Sequence, residues 1–259
     1  MDYSVSISAR GKKVDESMEN FLKSFPYPLE NIDSVFGFAE HCRLYGGRLF
    51  TEPELSEEDI EYLYANKIGF RIPLQNHFCN EEDYEEARPF IEKYHRAGNS
   101  VIITNDSLAR WIRRDYPLYH LEASVIKNTR TVQGLRKALQ LYDTVVPLSR
   151  DFNDNIENIE QLTEEERNRI RLFLTMGCMH NCRNKICYVE MSKANRRDPD
   201  AKWACSQLEE KRTDIGVSYN WEMEPFLKLG IKKFKILRKR NEQLYSPVTK
   251  QVEKIWTHY

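Results

Sequence analysis

The chain has 259 residues, 41% hydrophobic and 31% charged, which supplies a sizeable core and excludes a disordered chain. Its 39 basic and 40 acidic residues nearly cancel, so no global positive field argues for nucleic-acid binding, and RNA would need a local patch. There is no apolar run of about 18 residues, and "MDYSVSISARGKK" (1–13) lacks a basic leader followed by an apolar stretch. The expectation is a cytoplasmic protein with no membrane span.

Short β-branched or apolar runs alternate with longer amphipathic segments along the chain. The predicted strands are "YSVSIS" (3–8), "DSVFGFA" (33–39), "IGFRIPL" (68–74), "SVIITN" (100–105), "HLEASVI" (120–126), "DTVVPLS" (143–149), "RIRLFLTM" (169–176) and "KKFKILR" (232–238). Helices are predicted over 56–67, 80–98, 107–117, 132–142 and 220–230, with 245–259 as the eighth. Ser56 should cap the first of these, and Glu57, Glu58 and Asp59 favour its positive end. Gly98 and Gly230 stand where helices should stop. Eight strands, each followed by a helix, predict a single-domain (β/α)8 TIM-like barrel over 1–259. A cysteine-bearing loop at about 177–219 is too long for a barrel loop without a function.

Four of the six cysteines, Cys178, Cys182, Cys187 and Cys205, follow the seventh predicted strand with the spacing C-x3-C-x4-C-x17-C. In such barrels chemistry gathers at the C-terminal ends of the strands. In a reducing cytosol a thiol cluster points to a metal rather than a disulfide framework. The neighbours Met179-His180-Asn181 and Arg183-Asn184-Lys185 are too polar for a buried run. Zinc knuckles and bacterial ferredoxins use x2 gaps that are absent here, so the spacing leaves iron–sulfur and zinc both open. Cys42 and Cys79, after the second and third strands, would lie at the same face.

Several segments resemble the peptidase U32, or collagenase-like, family. They are "SVFGFAEHCRLYGGR" (34–48), "VVPLSRDF" (145–152), "LTMGCMHNCRNK" (174–185) and "FLKLGIKKFKILRKR" (226–240). The resemblance implies a barrel and, in its compact members, an iron–sulfur cluster of the 4Fe–4S kind, serving oxygen-independent hydroxylation of ubiquinone precursors by paired subunits. Other members modify RNA bases, and prephenate is the suggested oxygen donor. In ubiquinone-pathway members a cysteine on the second-strand loop is a ligand, and Cys42 sits at the matching place, competing with Cys187 for the fourth position. The family's proline after the second loop cysteine is Arg183 here, and its glutamate on the last strand is Leu237.

Around the expected mouth, Arg48 and Arg150 are candidates to clamp a carboxylate, and Asn105 is a third candidate catalytic residue. Asp106 or Ser107 is read as a helix cap beside it. Asn76, His77, Lys127, Asn128 and His180 are further polar residues of this face. No Ser-His-Asp or Gly-x-Ser-x-Gly pattern, H-E-x-x-H helix or phosphate-binding glycine loop is visible. The expected function is oxygen-independent hydroxylation or modification of a small aromatic, anionic or nucleobase substrate. The rivals are a non-catalytic iron–sulfur partner subunit and a zinc-stabilised RNA-binding module.

Overall fold

The fold comes from a computed structural model that describes residues 3–182, 185–202, 204 and 219–237. All eight predicted strands form: β1 (Ser4–Ser8), β2 (Ile32–Phe36), β3 (Gly69–Ile72), β4 (Ser100–Ile103), β5 (His120–Ala123), β6 (Thr144–Val145), β7 (Leu172–Met176) and, as the ninth in chain order, β9 (Lys233–Ile236). A strand the sequence does not announce, β8 (Tyr219–Asn220), lies between β7 and β9 in the chain and pairs antiparallel with β7. The other pairings are parallel, in the order β6-β5-β4-β3-β2-β1-β9-β7-β8. The strands are buried almost continuously, as expected of a parallel sheet covered on both faces.

The sheet curls until its margins touch. Val145 on β6 bridges to Ile170 just before β7, and Val145 N donates to Arg169 O at 2.9 Å while Arg171 N donates to Val145 O at 3.0 Å. This is a mixed α/β, barrel-like architecture, with one bridge where a regular barrel has a full strand pair.

Helices α1 (Met18–Lys23), α2 (Glu57–Ala65), α3 (Glu81–Lys93), α4 (Asp106–Asp115) and α5 (Val132–Leu139) each follow a strand. Short α6 (Ser149–Phe152), α7 (Glu157–Glu160) and α8 (Glu164–Asn168) follow β6; α9 (Ile186–Asn195) follows β7, and α10 (Glu224–Lys228) precedes β9. Ser56 and Asn80 close capping boxes with Asp59 and Asp83. Gly98 and Gly230 adopt positive φ, 92° and 83°, at the predicted stops. The predicted eighth helix, 245–259, lies outside the described residues. Among the described residues no helix is long and apolar enough to cross a membrane.

The main apolar core joins the helices to the outer face of the sheet and fills much of its interior. A buried charge cluster interrupts it. Arg71 from β3, Arg171, Lys235 from β9 and Glu122 from β5 are at most 4% exposed, and all three cations converge on the Glu122 carboxylate. Arg171 also pairs with Asp33 at 2.6 Å, and Arg71 Nε donates to Ser34 Oγ at 3.1 Å. Burial opposes charge on Glu122, but its three cations win and hold its pKa down to about 2.

Candidate functional site at the barrel mouth

At the C-terminal ends of the strands, Val125, Ile126, Val146, Leu148, Phe173, Met176 and Met179 form a second apolar cluster, against which Tyr188, Trp221 and Leu237 pack. The chain after β7 passes over this layer. Cys178 to His180 make one 3-10 turn, Cys182 follows, and Lys185, in the left-handed region at φ 51°, turns the chain into α9, where Cys187 is the second residue. Lys185 N donates to Cys182 Sγ at 3.3 Å. Cys187 was expected on a loop and instead sits on a helix.

Cys42, Cys79, Cys178, Cys182 and Cys187 are thiols, not disulfides. Burial, then Cys187, Cys178 and Cys182, push the Tyr188 hydroxyl well above its usual range, so all three thiols lie near enough to act on it. Arg10, just past β1, joins them: burial lowers its pKa, and Tyr188 and Cys178 oppose the shift. Cys42 lies elsewhere. It is 4% exposed within the main core, and burial followed by nearby Cys79, Glu40 and Glu86 outweighs a backbone hydrogen bond to push it up to about 12. Cys205, the expected fourth ligand, lies outside the described residues, as does Arg183. Among the described residues no group of three or more His, Cys, Asp or Glu side chains is set to hold a metal ion. The donor chemistry of the three gathered thiols nevertheless suits an iron–sulfur cluster or zinc.

Helix α9 is tied to the opposite side of the mouth. Asn76, fully buried, donates to Arg43 O at 2.8 Å, Tyr45 O at 3.1 Å and Ser192 O at 2.8 Å, and its Oδ1 accepts from Phe78 N at 2.8 Å. Asn195 donates to Tyr45 O at 3.1 Å and Arg48 O at 2.9 Å and accepts from Phe50 N at 2.9 Å. His77 Nδ1 meets Ser192 Oγ at 3.1 Å. Asn76 and His77 therefore position the cysteine helix, a role the sequence did not assign them.

The other candidates divide. The Arg48 guanidinium is engaged by both oxygens of Glu54 and stacks on Phe38 at 4.3 Å, so its fork is already occupied by a carboxylate of the chain itself. Asn105, read as catalytic, is the N-cap of α4: its Oδ1 accepts from Ser107 N at 2.8 Å and Leu108 N at 3.3 Å. That cap had been assigned to Asp106 or Ser107; Asp106 instead pairs with Lys127 at 2.7 Å and accepts from Tyr142 Oη at 2.8 Å. Arg150, half-buried on α6, makes no hydrogen bond or ion pair with a described residue and lies near His180 and Lys185. Arg10, whose side chain also makes no hydrogen bond or ion pair with a described residue, was not singled out in the sequence, where "SARGKK" reads as a polar turn.

The fold also assembles a triad that linear order hides. His180 Nδ1 meets Ser149 Oγ at 2.9 Å and His180 Nε2 meets Asp154 Oδ2 at 2.9 Å. Tyr219 and Trp221 flank the imidazole at 4.4 and 5.2 Å, and Trp221 Nε1 donates to Asp154 Oδ1 at 2.8 Å. Exposure runs against a nucleophile, however: Ser149 is 0% exposed whereas the Asp154 side chain is 43% exposed. The arrangement anchors His180, and with it the cysteine turn, rather than presenting a serine to substrate.

No protein-family model and no curated protein matches the chain. Among solved structures, that of the U32 peptidase Mk0906 matches with a TM-score of 0.62, over 92% of this chain and 93% of that one, at 13% identity. The two proteins share a fold. At that identity the likeness speaks for architecture, and the roles of individual residues rest on their own geometry.

Proposed function

We propose that the chain is an iron–sulfur protein of the U32 type, built on a closed (β/α)8 barrel, in which Cys178, Cys182, Cys187 and Cys205 hold a 4Fe–4S cluster over the mouth. The observation that supports the reading is that Cys178, Cys182 and Cys187 follow β7 at the barrel mouth, near Tyr188, which packs on an apolar floor. Cys42, buried in the main core with its thiol pushed up to about 12, is the less suitable fourth ligand. Such a cluster would supply one-electron transfer at a potential tuned by burial and hydrogen bonding.

The remaining residues fit modification of a small aromatic, anionic substrate in the cytoplasm without dioxygen. Tyr188, Trp221 and Phe173 offer aromatic walls, and Arg150 and Arg10 offer guanidinium groups for a carboxylate, the role first read for Arg48. Asn76 and Asn195 fix the thiol-bearing helix over the substrate, and the mouth cluster excludes water from below. A peptidase reading would need a reachable nucleophile, and the serine of the Ser149–His180–Asp154 chain is buried.

The test is the absorption spectrum and the iron and sulfide content of protein purified without oxygen, with each of the five cysteines changed singly to Ala. The expected result is a broad band at about 400 nm that is lost in the Cys178, Cys182, Cys187 and Cys205 variants and kept in Cys42→Ala. Colourless protein with one zinc would overturn the redox reading in favour of a zinc-stapled module. A cluster-bearing protein that turns over only after a second subunit is added would make this chain the partner subunit.

A further inference from the structure

Away from the thiols, a cavity of about 580 Å3 opens between α4 and the β5–α5 turn. Its charged lining is Arg110, Lys127, Arg130, Lys137 and a single acid, Asp106. That acid is already committed, accepting from Lys127 Nζ at 2.7 Å and from Tyr142 Oη at 2.8 Å. Arg130 meets the Asp151 carboxylate at 3.3 Å, on the side of an exposed pair. The side chains of Arg110 and Lys137 make no hydrogen bond or ion pair with any described residue. Like charges crowded in one cavity repel, and a chain with 39 basic and 40 acidic residues had ample means to intersperse them.

Three further features belong to the same cavity. Thr129, only 7% exposed, lines it, and its hydroxyl makes no hydrogen bond with a described residue. Thr131, at the start of α5, lines it too, and its Oγ1 accepts from Gly134 N at 3.0 Å. Gly134 itself lines the cavity inside a helix, where glycine weakens the helix, and a Cβ there would lie 3.2 Å from Thr131 Oγ1.

We propose that this cavity is a binding site for a phosphate-rich small molecule, a nucleoside di- or triphosphate. Arg110, Lys137 and Arg130 take the phosphates, and Leu141 and Ala138 offer an apolar surface to the nucleoside. The volume lies within the range of small-molecule sites, about 300–1,000 Å3, and favours a compact ligand over a polymer. The site is independent of the thiols, so it stands or falls apart from the iron–sulfur reading. The two do share an edge: Lys185, at the start of α9, donates to Asn128 Oδ1 at 2.8 Å, and Asn128 lines the cavity.

The test is isothermal titration of the full chain with ADP, with inorganic pyrophosphate and with a single-stranded oligonucleotide, at two salt concentrations. It is repeated on Arg110→Glu and Lys137→Glu, exposed positions at which an unchanged unfolding midpoint verifies folding. Saturable binding of ADP, weakened by about tenfold or more in each variant and weaker at higher salt, is the expected result. Pyrophosphate binding as tightly as ADP would overturn the nucleoside part. No saturation by ADP or pyrophosphate up to about 1 mM, equal binding by the variants, or saturation by the oligonucleotide alone would overturn the proposal.

Discussion

Glu122 is the residue on which the barrel interior depends. Its carboxylate is fully buried and is the common partner of Arg71, Arg171 and Lys235, of which, among the described residues, only Arg171 has a second carboxylate, Asp33. Replacing Glu122 with Gln keeps its volume and leaves cations unpaired in a dry interior, a change that costs about 3–5 kcal/mol. The expected outcome is a large fall in the urea midpoint; a fall well under 1 kcal/mol would mean that water or another group satisfies those cations. Nothing in "HLEASVI" distinguishes such a glutamate from one facing solvent. Strand alternation gives parity but not which parity points inward, and in a parallel barrel both faces are covered. Arg10 escaped notice for a similar reason, since its importance comes from neighbours 168 and 178 residues away, Cys178 and Tyr188. The cysteines were legible because thiols at short spacing advertise metal chemistry without any fold.

Helix α9 is the element that brings the thiols together, and its anchorage is testable. Asn76 offers both amide hydrogens to carbonyls of the β2–β3 connection and of α9, so Asn76→Ala strands buried carbonyl oxygens. The variant should lose about 1–3 kcal/mol, and amide exchange within Ile186–Asn195 should quicken while α4 is unaffected. Equal exchange in both helices would show that α9 is held by other means. The sequence concealed this helix. "ICYVEMSKAN" has apolar and polar residues spread around its circumference, and no side chain caps its start, because Lys185 stands at the N-cap position. Helices α2 and α3 were legible for the opposite reason, their capping boxes and acidic first turns. Two-residue β8 is too short to carry any periodic signal.

For the whole molecule, acid stability follows from groups held out of their ordinary ionisation. Burial, followed by Arg71, lowers the His120 pKa to about 4, and its Nε2 meets Thr144 Oγ1 at 2.7 Å. Between that value and the unfolded value of about 6.5, the unfolded chain holds a proton that the folded chain does not. Stability therefore falls as the pH drops through this window, and Glu122 extends the loss toward pH 2 as its carboxylate protonates. Denaturation midpoints measured from pH 7 to 4 should decline for the natural chain and flatten in His120→Gln; parallel curves would remove His120 from the account. The eight parallel strands and barrel-like curl were legible at this scale because eight apolar runs separated by helical segments leave few alternatives. Sheet order adds something no run of residues announces. From β1 to β6 each strand pairs with the one made just before it, whereas β9 is inserted between β1 and β7. During synthesis six strands have partners at once, but β1 and β7 both present open edges until Lys233–Ile236 emerges. The last-made strand is thus the keystone, and a nascent chain stalled before it is a sheet with two adhesive margins, the form of this protein that most needs a chaperone.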